Sequence, residues 1–117
     1  MTTRARLKNL RFRSGFEVVQ NHEHSQAAQM TLEAGGAEGG PHNRHRGADQ
    51  WLYVVAGRAT AIVNGKSVSL KRGSLLFIAR GSTHEIRNAG RTLLKTLNIY
   101  VPPAYTSDGE ELPRGRS

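Results

Sequence analysis

Alternation is the dominant pattern along this chain. Gln50, Leu52 and Val54 fall on one side of a pleated strand, with Trp51, Tyr53 and Val55 on the other. Near the C-terminus Thr96, Asn98 and Tyr100 alternate in the same way with the apolar Leu97, Ile99 and Val101. Short β-rich runs recur at 16–19, 27–32, 51–56, 59–63, 67–70, 75–78, 84–87 and 93–101, so the pattern predicts about eight or nine strands. The breaks between them are chemically distinct. A polar turn covers 21–25, a glycine-rich stretch over 34–41 reads as a loop, and Asn64-Gly65 is the favoured dipeptide for a two-residue type I′ hairpin. Pro102-Pro103 ends the last strand, because proline cannot continue a ladder. No segment sustains helical periodicity, and the pattern alone predicts an all-β sandwich or barrel.

A length of 117 residues suits one domain with a single core. The reading divides it into a basic N-terminal arm (1–15), a barrel (16–103) and a polar, flexible C-terminal tail (104–117). The absence of cysteine excludes disulfides and thiolate metal sites, leaving imidazole, carboxylate, amide and water as metal donors. No apolar run approaches membrane-spanning length and no uninterrupted apolar stretch follows the basic leader, so a cytoplasmic protein without a membrane partner is expected. The net charge of +8 raises the local concentration of anions. Arg4, Arg6, Lys8, Arg11 and Arg13 crowd the start of the chain, an arrangement that would suit a flexible arm on phosphates. No base-stacking aromatic array accompanies them, and nucleic acid is not the expected partner.

Two motifs carry the candidate chemistry. In the first, His45 is followed after four residues by Gln50 and after six more by Gly57; in the second, Gly73, Gly81, His84 and Asn88 are spaced over sixteen positions. Together they resemble the paired metal-site signatures of the cupin superfamily, small double-stranded β-helix barrels of jelly-roll type. Gly73, Gly81, His84 and Asn88 match the second signature, from which Ala79 departs by replacing a proline. The first departs further. Gln50 stands where the family carries glutamate, and the place two before His45 is Asn43, with His42 one residue earlier.

The resemblance implies a divalent transition metal (Fe, Mn, Ni, Zn or Cu) held by His45, Gln50 and His84, with a fourth place open between His42 and Asn43. Register favours Asn43 for that place and ligand chemistry favours His42. His42 and His45 are three apart, so a regular strand would send them to opposite faces, and a bulge or a turn after Pro41 is needed to bring both inward. An amide at position 50 leaves the ligand set neutral, which exposes more of the ion's charge to an anionic ligand. Asp49 becomes the carboxylate if the register shifts by one, whereas Glu85 is expected to face outward and His22 and His24 to be solvated in their turn.

Two functions follow from the resemblance. The first is a metal-dependent enzyme of oxygenase or isomerase type acting on a small anionic metabolite, with Tyr100 as the inward-facing proton donor and Asn43 and Asn98 contacting substrate. The alternative is a non-catalytic cupin that binds a sugar or carboxylate, with an empty or degenerate metal site. The missing glutamate and the lack of an obvious general base favour the alternative. Cupins are commonly dimers, and outward apolar strand faces such as that of Trp51 and Tyr53 would suit a homodimer.

Overall fold

The structure, a computed structural model, describes residues 5–45 and 47–112; the side chains of Pro41, His42 and Asn43 lie outside the described set. Nine strands and no helix form the described chain: β1 (Gly15–Asn21), β2 (Gln26–Leu32), β3 (Ala37–Arg44), β4 (Asp49–Ala56), β5 (Arg58–Val63), β6 (Lys66–Lys71), β7 (Leu75–Ile78), β8 (Thr83–Asn88) and β9 (Leu94–Val101). They pair antiparallel into a five-stranded sheet, β1-β2-β9-β4-β7, and a four-stranded sheet, β3-β8-β5-β6. This is the expected all-β architecture.

The alternation seen in the sequence decides which side chains meet between the sheets. Gln50, Leu52 and Val54 of β4, and Leu94, Thr96, Asn98 and Tyr100 of β9, are all buried. The intervening Trp51 and Tyr53 of β4 remain outside, 42% and 41% exposed. Along β9 the inner face changes from apolar to polar. Leu94 joins Met30, Leu52, Val54, Ala59, Ala61, Leu70 and Ile86 in a hydrophobic core at one end, and Tyr100 packs with Ala28, Ala48 and Ala104 at the other. Thr96 Oγ1 donates to Asn98 Oδ1 at 3.0 Å, so the polar half begins within the strand.

Two of the turns with positive φ bear directly on how the strands connect. Asn64 (φ 49°) and Gly65 (φ 80°) close the β5-β6 hairpin as the sequence predicts. Gly57 (φ 92°) turns the chain from β4 to β5, and a Cβ there would meet the Leu93 carbonyl oxygen at 2.6 Å.

Three stretches differ from the sequence reading. The glycine-rich stretch is not a loop throughout, because residues 37–44 form β3, paired with β8. Glycine has little β propensity, and this strand exists through its partner. The basic N-terminal segment packs along the outer face of β1 and β2: Phe12 N donates to Gln29 Oε1 at 3.2 Å, and Arg6 Nη2 to the Asn21 carbonyl at 2.6 Å. Residues 104–112, assigned by composition to a tail, turn back over one end of the barrel. Gln26, 2% exposed, ties them down through bonds between its amide and the backbone of Ala104 and Tyr105. A Tyr105-Glu111 bridge then closes a short hairpin.

Candidate functional site

The polar end of the interior opens into a cavity of about 200 Å³. Gln50 and Leu52 reach it from β4, His84 and Ile86 from β8, Asn98 and Tyr100 from β9, and His45 from the β3-β4 connection. The two motifs thus meet at one place. His45, Gln50 and His84 are 7%, 3% and 6% exposed, and the His45 and His84 rings lie 5.2 Å apart.

Each ring is oriented by its surroundings. His84 Nδ1 sits 3.5 Å from the Ser82 carbonyl, an acceptor, a contact that favours the tautomer protonated on Nδ1. Burial holds the His84 pKa below the ordinary imidazole value, against the opposing effect of that carbonyl, so the ring is neutral at physiological pH. His45 lies between two groups from the C-terminal hairpin. Its Nε2 is 3.2 Å from the Tyr105 hydroxyl, and its Nδ1 is 3.4 Å from Glu111 Oε2.

Gln50 contrasts with both. Its Oε1 is buried with no hydrogen-bond partner among the described residues. An unpaired buried amide oxygen costs about 1–3 kcal/mol, and such a group calls for an ion, a water or a ligand atom. Two buried imidazoles and this oxygen are of the donor types that a first-row divalent ion accepts, so the residues fit the metal that the motifs imply. No three His, Asp or Glu side chains converge as a metal site among the described residues, and position 50 contributes an amide.

Other positions fall largely where strand alternation puts them. Asn98 and Tyr100 line the cavity, joined by a 3.5 Å contact from Asn98 Nδ2 to the Tyr100 hydroxyl. Burial pushes the Tyr100 phenol well above its usual pKa, and it does the same to Tyr105, so both stay protonated. Asp49 does not replace Gln50. It faces outward and accepts from Arg80 N at 2.9 Å and Nε at 3.3 Å, and the Arg80 hydrogen bonds lower its pKa. Glu85 is paired outside with Arg87 at 2.9 Å. His22 and His24 are exposed in their turn. The β3-β8 register breaks between Gly40 and Arg44, the irregularity needed before His42 could share a face with His45. The choice between His42 and Asn43 falls on side chains outside the described set.

Sequence reasoning missed Tyr105, Glu111 and Glu38, which also line the cavity. Glu38 is level with Ile86 in the β3-β8 register and was hidden in the glycine-rich stretch. Tyr105 and Glu111 lie beyond the two prolines, where no periodicity marks them. With these two carboxylates and no lysine or arginine among the described lining residues, the cavity is acidic while the chain as a whole is basic.

Residues 28–100 match the family described as the cupin domain, and the chain belongs to that family. The oxalate-binding protein of Thermotoga maritima is 32% identical over 74 residues, 63% of this chain and 60% of that protein. The tetracenomycin polyketide synthase protein TcmJ of Streptomyces glaucescens is 41% identical over 46 residues, 39% of this chain and 31% of TcmJ. Both matches span less than two thirds of the relative's length. Among solved structures, BH2720 from Bacillus halodurans superposes with a TM-score of 0.71 at 26% identity, covering 84% of this chain and 77% of that one. KdgF from a Halomonas species superposes at 0.68 and 22% identity, over 75% and 77% of the two chains, a likeness of fold alone. No helix among the described residues is long and apolar enough to cross a membrane.

Proposed function

We propose that this cupin binds a small carboxylate anion, of the size of a dicarboxylate, through a divalent transition metal held by His45, Gln50 and His84, with His42 or Asn43 completing the set. The observation that carries the reading is the cavity's composition. It places the unpartnered Gln50 oxygen beside two buried imidazoles, and its charged lining among the described residues is the carboxylate pair Glu38 and Glu111. An anion entering such a space meets two like charges and, among the described residues, no lysine or arginine, an arrangement that opposes direct binding. When bound, the metal would supply the missing positive charge and open coordination positions for carboxylate oxygens. Burial holds the His84 imidazole neutral, the form in which a ring nitrogen can ligate. Asn98 and the protonated Tyr100 can each donate a hydrogen bond to the anion. The oxalate-binding relative supports a ligand of this class. The same reading takes the protein as a homodimer joined through the outer face of β4, β7 and β9.

Tyr100 favours a second reading, the metal-dependent enzyme, because a buried neutral phenol is a proton donor in reach of a bound ligand. One experiment separates the two. Metal-stripped protein is titrated calorimetrically with oxalate before and after loading with Mn²⁺, and the mixture is then incubated aerobically and analysed by mass spectrometry. We expect heat of binding only after loading and unchanged oxalate at the end. Equal binding without metal would sink the metal-mediated reading, and conversion of the ligand would establish the enzyme.

A further inference from the structure

The hairpin over residues 105–111 belongs to the site. We propose that Glu111 is the positioning residue for His45, supplying from the C-terminal side the carboxylate that position 50 lacks; the inference rests on His45 being a metal ligand, as argued above. Glu111 Oε2 lies 3.4 Å from His45 Nδ1 while the Tyr105 hydroxyl lies 3.2 Å from Nε2. A carboxylate only accepts, so in the neutral ring it favours the tautomer protonated on Nδ1. The acceptor lone pair is then on Nε2, the nitrogen that the Tyr105 hydroxyl faces, and that hydroxyl donates to it until a metal takes its place. His84 has the same arrangement, with the Ser82 carbonyl in the carboxylate's role. Both rings are thereby set with Nδ1 protonated and Nε2 as the electron-pair donor, and the Glu111 charge makes the His45 imidazole the more basic donor.

The hairpin is built to hold this contact. Thr106 N donates to the Glu110 carbonyl at 2.7 Å, Gly109 N to the Thr106 carbonyl at 2.9 Å, and Leu112 N to the Ala104 carbonyl at 2.9 Å. The buried Gln26 amide fixes its base with bonds of 2.7 to 3.2 Å. Tyr105 packs against Phe16, Tyr100 and His45 with ring centroids 4.7, 5.1 and 5.3 Å apart. Glu111, at the closing end of this hairpin, is therefore presented to His45 by a structured element.

The test reads the tautomer directly. Long-range ¹⁵N–¹H spectra of the ¹⁵N-labelled full chain, metal-free and with the pH raised until the His45 shifts stop changing so that the neutral ring is read, are recorded for wild type, Glu111→Gln and Glu111→Asp, with His45 assigned by loss in His45→Asn. We expect Nδ1-protonated His45 in wild type, a mixture of tautomers in Glu111→Gln, and recovery in Glu111→Asp. Zn²⁺ affinity by calorimetry should fall about 10- to 100-fold in Glu111→Gln and return in part in Glu111→Asp, with circular dichroism unchanged. His45 protonated on Nε2 in wild type, or a tautomer unaltered in Glu111→Gln, overturns the assignment. If wild type binds no Zn²⁺, the metal reading fails, and the spectra of the metal-free protein still decide the role of Glu111.

Discussion

Gln50 is the residue on which the chemistry of the site turns. It is 3% exposed and its Oε1 lacks a partner among the described residues, so a change there is not diluted by solvent. In Gln50→Glu a hard anionic oxygen would face the two imidazoles, and divalent affinity should rise by roughly tenfold or more as the ligand set gains a charge. Without metal the same carboxylate would be buried near Glu38 and Glu111, and the melting temperature should fall until metal is added. Calorimetry with Mn²⁺ and thermal shifts with and without chelator measure both. Equal Mn²⁺ affinity in the two proteins would mean that position 50 does not touch the ion. His45, Gln50 and His84 were legible from motif spacing, and Asn98 and Tyr100 from the alternation along β9, which puts both on one face. Tyr105, Glu111 and Glu38 were not. The first two reach His45 from 60 and 66 positions away through a non-local hairpin, and the third sits among glycines that give no strand signal.

At the scale of the element, legibility follows whether a strand's own residues or its partner make it a strand. The β5-β6 hairpin was readable because Asn64-Gly65 encodes the turn and the flanking residues favour strands. β3 was not, because Ala37-Glu38-Gly39-Gly40 is held extended by pairing with β8. The two glycine turns offer a graded test. A Cβ at Gly65 meets nothing within 4 Å, so Gly65→Ala should cost only the backbone preference at φ 80°, about 1–2 kcal/mol by chemical denaturation. At Gly57 the same unfavourable φ is combined with a 2.6 Å approach to the Leu93 carbonyl oxygen, which is backbone and cannot swing aside. Gly57→Ala should therefore be clearly the more destabilising of the two. The reverse order would show that the β4-β5 turn relaxes freely.

For the whole molecule, the open question is what meets the outer face of the five-stranded sheet. The N-terminal segment covers the β1-β2 side, whereas Trp51, Tyr53, Leu75, Phe77 and Val101 of β4, β7 and β9 are exposed, with the Trp51 and Phe77 rings packed at 4.7 Å. β7 pairs only with β4 and ends the sheet, so apolar side chains lie beside an edge. A second copy of the chain is the partner proposed above for this patch. Two forces then oppose each other. Burial of the patch favours association at about 25 cal/mol per Å², and the net charge of +8 on each copy resists it. Sedimentation velocity at low and high salt resolves both. The dimer should tighten as salt screens the repulsion, and Trp51→Glu combined with Phe77→Glu should leave a monomer at every salt concentration, with its β-rich circular dichroism intact. A wild-type monomer at high salt would leave this face to a different partner.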